Sequence, residues 1–103
     1  DWLWGGDIGS IHTSIVHGIR NPDHAETRLS MMPAFGRDGI LTPAQVQDVV
    51  SHVRVISGQE QTSRSAASGA ALYAANCAVC HGAGGTGDRA LGAPNLADGI
   101  WLY

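Results

Sequence analysis

The five-residue motif Cys77-Ala78-Val79-Cys80-His81 constrains this chain of 103 residues more than any other feature. Two thiols at this spacing can add to the two vinyl groups on one edge of a porphyrin, and the adjacent imidazole then reaches the iron. The motif therefore predicts a c-type haem bound covalently through Cys77 and Cys80, with His81 as an axial ligand. A bound macrocycle would also enlarge the core of so short a chain.

Paired cysteines also serve two other kinds of site, which fit this sequence less well. A thioredoxin-like redox pair follows a strand in a βαβ unit, whereas an alanine-rich helical segment precedes Cys77. Structural zinc needs four ligands, and Cys77, Cys80 and His81 supply three. The fourth would come from the remaining histidines, which are His12, His17, His24 and His52. A small zinc-binding structural module is therefore kept as the alternative function.

Composition and charge exclude several classes of function. The chain has six lysines and arginines and a net charge of -3, which gives no electrostatic surface for nucleic acid. No apolar run approaches the roughly 18 residues that cross a bilayer. The sequence starts without an initiator methionine or a signal peptide, so we expect it to be a section of a longer protein.

Apolar periodicity predicts an all-α fold, with helices joined by long glycine- and proline-rich loops and with no strand. A first helix is predicted from Ile8 to about Gly18. The apolar stripe on one face of this helix consists of Ile8, Ile11, Ile15, Val16 and Ile19. The stretch from Asn21 to Gly39 has no sustained period and is predicted to be a surface loop.

The second helix has clear boundaries in the sequence. Thr42 suits the N-cap, Pro43 suits the first helical position, and Gln45 stands where a capping-box partner reaches back. Gly58 is placed to end the helix in a left-handed conformation. The predicted buried stripe consists of Val46, Val49, Val50, Val53 and Ile56.

An alanine-rich third helix is predicted from about Ser68 to Cys77. Its small residues would allow close approach to another helix. The polar residues 59–67 that precede it offer nothing to bury, so we interpret them as a linker between two modules.

The two ends of the chain resemble each other. Trp2-Leu3-Trp4 is similar to Trp101-Leu102-Tyr103, which suggests a tandem repeat. On this interpretation, residues 1–58 are the C-terminal part of one domain. Residues 68–103 are then the N-terminal part of the next.

A haem with one histidine ligand needs a second axial ligand, and Met32-Pro33 supplies a candidate. A thioether is a soft neutral donor, and His/Met ligation raises the haem potential, which suits an electron carrier. Met31 is the rival thioether. On the histidine side, the Pro94 carbonyl is expected to accept a hydrogen bond from His81 and so to orient its ring.

The sequence contains no evident catalytic set. Its acidic residues Asp7, Asp23, Glu26 and Asp38 form no pair spaced for hydrolysis, and no nucleophile stands with a base. The histidines outside the motif are assigned no role. We therefore expect one-electron transfer without a catalytic site of the chain's own.

The sequence resembles the di-haem cytochrome c subunit of cbb3-type haem-copper oxidases over nearly its whole length. The segments that carry the resemblance are 77–81, Gly84-Gly85-Thr86-Gly87, Gly92-Ala93-Pro94-Asn95-Leu96, and 12–39 around Met32-Pro33-Ala34-Phe35-Gly36. The resemblance implies a class I cytochrome c-like fold and covalent haem c. The family has two attachment sites, and this chain has one.

The resemblance also implies a cellular setting. In the family, a membrane-anchored subunit carries two cytochrome c domains at the periplasmic face of the bacterial cytoplasmic membrane. The implied partners are the other subunits of the terminal oxidase complex and small cytochrome electron donors. Contact with the membrane would come only through parts of the parent outside this chain, and oxygen reduction would belong to a partner.

Two arrangements are open for Met32. In the conventional one, it binds the first haem of the family, which is attached outside this chain. In a crossed one, it completes the iron site begun by His81, and the helix after the linker packs across the helix at 43–57. Residues alone do not choose between them.

Overall fold

The computed structural model describes residues 3–101 of the chain. Within them lie four helices, which are α1 Ile8–His17, α2 Pro43–Ile56, α3 Arg64–Asn76 and α4 Ala78–His81. This range contains two isolated β-bridges and no strand. The prediction of an all-α fold is confirmed. No helix in the described range has the length and apolar character needed to cross a membrane.

Three of the six residues that suggested a tandem repeat lie outside the described range. They are Trp2, Leu102 and Tyr103. The repeat and the division into two domains therefore remain predictions.

Helix α2 begins as the sequence predicts. The Thr42 hydroxyl accepts the Gln45 N–H at 3.3 Å, and the Gln45 side chain accepts the Thr42 N–H at 2.9 Å, which completes the capping box. These reciprocal bonds satisfy N–H groups that have no partner within the helix. At the other end, Gly58 has a φ of 75°, which is the left-handed conformation expected there.

Helix α3 begins about four residues earlier than predicted. Its N-cap is Ser63, whose hydroxyl accepts the Ala66 N–H at 3.1 Å. Residues 64–67 therefore belong to the helix and not to the linker, and Ala66 is buried. The error has a physical cause, because serine caps helices as readily as it occurs in flexible segments. Here, the packing of α3 against α2 favours the helix over the flexible segment.

Helices α2 and α3 pack across each other, as the sequence allowed. Their backbones meet at Gly69, where an added Cβ would collide with the Asp48 carbonyl oxygen. Only a residue without a Cβ permits this approach. Nearby, the Ser65 hydroxyl donates to the Asp48 carboxylate, and the rings of His52 and Tyr73 lie 5.1 Å apart.

Most of the buried side chains belong to α3, α4 and the residue between them. They are Ala66, Tyr73, Cys77 and His81, with Leu41 joining them from just before α2. The apolar stripe of α2 is less buried than predicted. Three of its valines line a cleft instead of packing under another helix.

Helix α1 forms where predicted, but its apolar stripe is not buried. Asp7 caps the helix by accepting bonds from Ser10, and Gly18 ends it. Ile8 and Ile15 are 86% and 78% exposed, because none of the other described helices packs against α1. Periodicity shows which face of a helix is apolar, and not whether another element covers that face.

Candidate functional site

A single residue, Cys77, joins α3 to α4. Its N–H donates to the Tyr73 carbonyl at 2.8 Å, and its carbonyl accepts the N–H groups of Cys80 and His81 at 3.1 and 2.9 Å. One tight turn thus carries both thiols and the imidazole of the motif. Cys77 and His81 are buried and Cys80 is exposed, so the motif extends from the core to the surface.

Both cysteines are free thiols. Burial raises the pKa of Cys77, and the neighbouring Cys80 raises it further. A thioredoxin-like pair needs an attacking thiol with a lowered pKa. Cys77 is therefore not activated as the attacking thiol of a disulfide exchange.

The Nδ1 of His81 lies 3.0 Å from the Pro94 carbonyl oxygen. A carbonyl oxygen only accepts, so Nδ1 carries the proton and the Nε2 of the neutral ring keeps a free lone pair. Such a bond fixes the orientation of the ring and makes its other nitrogen a better metal ligand. The hydrogen bond expected between these two residues is present.

The loop after α4 is held against the motif by hydrogen bonds. The Gly87 N–H donates to the His81 carbonyl at 2.8 Å, and the Tyr73 hydroxyl donates to the Gly82 carbonyl at 3.1 Å. Gly87 has a φ of 80°, and an added Cβ would come within 2.5 Å of the Ala93 carbonyl oxygen. Glycine is therefore required for the loop to fold back on itself.

An apolar cleft of about 400 Å³ opens beside Cys77. Its walls are the segment 32–37, Leu41 and three valines of α2, namely Val46, Val49 and Val50. Met32 and Cys77 therefore line the same cavity. An apolar cleft lined by Cys77, one of the two thiols of the motif, fits the flat and largely apolar body of a porphyrin.

The cleft distinguishes the two methionines. Met32 lines it, whereas Met31 does not and is 87% exposed. Met32 is itself 70% exposed, which places its side chain toward the mouth of the cleft. The structure thus brings Met32 to the cavity of Cys77 and Pro94 to His81, and the assignment of Met32 to a particular haem remains a prediction.

The structure gives no support to the alternative of a zinc site at Cys77, Cys80 and His81. Among residues 3–101, the metal-binding side chains that lie close together in a group of three are His17, His24 and Glu26, with no cysteine among them. Sequence reasoning missed this group, because two of its members lie in an irregular loop whose path no periodicity predicts. It also missed the bond of the Tyr73 hydroxyl to the loop after α4, for the same reason.

Known proteins resemble the chain along its whole length. Residues 66–103 match the family model described as cytochrome c. All 103 residues align at 57% identity with the cbb3-type cytochrome c oxidase subunit CcoP of Cereibacter sphaeroides, covering 36% of that protein. Identity is 49% to the CcoP subunit of Rhodobacter capsulatus, covering 35% of it, and 45% to the FixP subunit of Bradyrhizobium sp. (strain ORS 278), covering 36%. The chain thus spans about a third of the length of these curated relatives.

The family match begins at Ala66 and includes the motif and the loop that supplies Pro94. The donors at 77–81 and the adjacent cleft fit the covalently bound haem c that characterises this family. Residues 66–103 are thus similar to the cytochrome c family, and over its whole length the chain is similar to about a third of the cytochrome c subunit of cbb3-type oxidases.

Proposed function

We propose that the chain transfers single electrons through a haem c attached to Cys77 and Cys80, as part of the di-haem subunit of a cbb3-type terminal oxidase. The observation that carries the proposal is the geometry of the motif. Two free thiols share one turn with His81, whose ring is oriented by Pro94, and an apolar cleft opens beside Cys77. Bound haem c supplies an iron that changes its charge by one electron. Reduction of oxygen belongs to another subunit.

The residues of the site have separate tasks. The sulfurs of Cys77 and Cys80 hold the group covalently. The Nε2 of His81 would bind the iron, and the Pro94 carbonyl keeps the proton on Nδ1. The apolar walls of the cleft limit the access of water, and both this shielding and the hydrogen bond to the histidine tune the potential.

In this proposal, the thioether of Met32 would also hold the iron. Two observations support a crossed arrangement, in which it serves the haem at the motif. Met32 and Cys77 line one cleft, and α2 packs across α3. A thioether opposite a histidine raises the potential of the iron, as an electron carrier in an aerobic chain requires.

The relatives support the proposal for the wider setting, because they are subunits of cbb3-type oxidases. Residues 1–58 are the C-terminal part of one cytochrome c domain. Residues 68–103 belong to the N-terminal part of the next domain, and this part begins at Arg64 if the whole of α3 is included. The partners are the other subunits of the oxidase and small cytochrome electron donors. The site faces the periplasm.

Covalent attachment is tested by replacing Cys77 and Cys80 with serine in the full-length subunit. One of two haems should be lost, so haem stain on a denaturing gel should fall to about half, because thioether bonds require the thiols. Val79→Ala is the matched control, since Val79 lies inside the motif and is exposed. Undiminished haem stain, or a mass of the denatured subunit that shows no loss of one haem, contradicts the proposal.

The role of Met32 is tested by Met32→Leu, which removes the thioether and keeps an apolar side chain of similar size. The potential of one haem should fall by on the order of 0.1 V, because axial ligands shift haem potentials over a range of about 0.8 V. Met31→Leu is the control and should leave both potentials unchanged. A redox titration in which Met32→Leu behaves like this control excludes Met32 as a ligand.

A combined variant decides which haem Met32 serves. If Met32 binds the haem at the motif, the shifted component disappears when Cys77→Ser and Cys80→Ser are added to Met32→Leu. If the shifted component persists, Met32 serves the haem attached elsewhere in the subunit and the conventional arrangement is correct. Electron transfer through the motif stands in either case.

A further inference from the structure

A second cluster of metal-binding side chains lies where α1 ends. His17 is in the last turn of α1, and His24 and Glu26 belong to the loop that follows. One ligand atom from each of the three lies within 4.8 Å of the other two. None of these residues takes part in the proposed electron-transfer site.

The Nδ1 of His17 is buried and has no hydrogen-bond partner. It lies 3.4 Å from a carboxylate oxygen of Glu26, whereas N–H···O bonds usually end at about 3.2 Å. Two ligands on a tetrahedral metal, each about 2.0–2.1 Å from it, stand about 3.4 Å apart. The separation therefore fits a pair of ligands better than a hydrogen-bonded pair. An ion at this position would also give the buried nitrogen the partner that it lacks.

The loop is already closed on the end of α1. The Thr27 hydroxyl accepts the Asn21 N–H at 3.1 Å and donates to the Gly18 carbonyl at 3.0 Å. One step further out, the Arg20 N–H donates to the Arg28 carbonyl at 2.9 Å. Because these bonds order the loop, an ion would not have to bear the entropic cost of ordering it.

We propose that His17, His24 and Glu26 form a binding site for a divalent transition metal of the zinc class. Two imidazoles and a carboxylate are the ligand set of open zinc sites, where water takes the fourth position. Imidazole ligands also disfavour magnesium and calcium, which prefer oxygen. A bound ion would tie the last turn of α1 to the loop that leads to Met31 and Met32.

An ion that binds His24 has to displace either a hydrogen bond or a proton from its ring. Its Nδ1 accepts the Glu26 N–H at 3.2 Å, so the neutral ring carries its proton on Nε2. An ion can take Nδ1 by displacing this long bond, or Nε2 by releasing its proton to solvent. The rings of His17 and His24 are already close, with 4.8 Å between their centroids.

The test is a titration of zinc chloride into the haem-loaded full-length subunit, with the heat of binding measured by calorimetry. The parent is compared with His24→Asn, Glu26→Gln and the matched control His12→Asn, since His12 is an exposed histidine of α1 outside the cluster. The first two variants should lose one zinc site, or bind zinc there at least about tenfold more weakly. Changes to residues that only support a metal ligand already weaken metal binding by about this factor. The control should bind zinc as the parent does, and only parent and control should gain thermal stability on adding zinc.

Equal zinc affinity in all four proteins, or no zinc binding in any of them, overturns the proposal and leaves an ordinary polar contact between His17 and Glu26. Because His24 and Glu26 are exposed, their variants should fold, and an unchanged haem absorption spectrum verifies this. X-ray absorption at the zinc edge gives a second measure and should show two imidazole ligands. The electron-transfer proposal is tested by haem stain and redox titration of variants at Cys77, Cys80 and Met32, so failure here leaves it intact.

Discussion

Helices α1 and α3 lie in opposite environments, although the apolar stripe was predicted on α1 and α3 was predicted only from its alanine-rich sequence. Tyr73 of α3 is 1% exposed, whereas no residue of α1 is buried, even though its stripe consists of isoleucines and a valine. Glycine and alanine let the backbone of α3 approach α2. Burial therefore depended on the shape of the helix surface and on the presence of a partner, more than on how apolar the stripe was.

The ionisable groups of the two regions show the same contrast. Burial raises the pKa of Tyr73 and of Cys77, and a nearby cysteine raises each further. At the exposed start of α1, hydrogen bonds from the side chain and backbone of Ser10 lower the pKa of Asp7. Loss of hydration thus dominates in one region, and hydrogen bonding to the charged form dominates in the other.

The strongest test of this contrast compares truncations in the two helices. Tyr73→Ala should lower the free energy of unfolding by about 3–5 kcal/mol, because it removes a fully buried aromatic ring. Ile15→Ala should change it by no more than about 0.5 kcal/mol, because this side chain is exposed. Thermal unfolding of the full-length holoprotein, followed by circular dichroism, measures both. Comparable losses would mean that α1 is covered in the complete protein, and the contrast would not hold there.

A smaller effect separates the two helical glycines. Gly69→Ala places a Cβ against the Asp48 carbonyl, and such overpacking should cost about 1–3 kcal/mol. Gly9→Ala in α1 meets only an Asp7 carboxylate oxygen, at 3.3 Å. It should be neutral, or stabilising by up to about 1 kcal/mol, because alanine favours a helix. Equal and small effects at both positions would show that α2 and α3 can separate without loss.

Features that depend on neighbouring residues were predictable from the sequence. The capping box at Thr42 and Gln45 and the left-handed Gly58 each join groups a few residues apart. The haem motif belongs with them, since one helical turn holds its thiols and its imidazole together.

Features that depend on distant contacts were not predictable from periodicity. Ala66 was predicted to lie in the linker, but it is buried in α3, which packs against α2. The exposure of α1 likewise depends on which elements surround it. The shared cleft of Met32 and Cys77 was expected only as one of two arrangements, and the approach of His17 to Glu26 was not expected at all.

The smallest predicted effect concerns pH and the exposed start of α1. Because folding lowers the pKa of Asp7, its charge stabilises the helix end above the ordinary carboxyl value of about 3.9, and this contribution is lost as the pH falls through the lower, folded value. The amide of Ser10 donates to this carboxylate at 2.9 Å, so its NMR shift in the reduced holoprotein reports the titration. The midpoint should lie below the ordinary value, and Asp7→Asn should abolish it while keeping a side chain that can cap the helix. A midpoint at or above the ordinary value would mean that the bonds from Ser10 do not favour the charged form, and the electrostatic half of the contrast between α1 and α3 would be wrong.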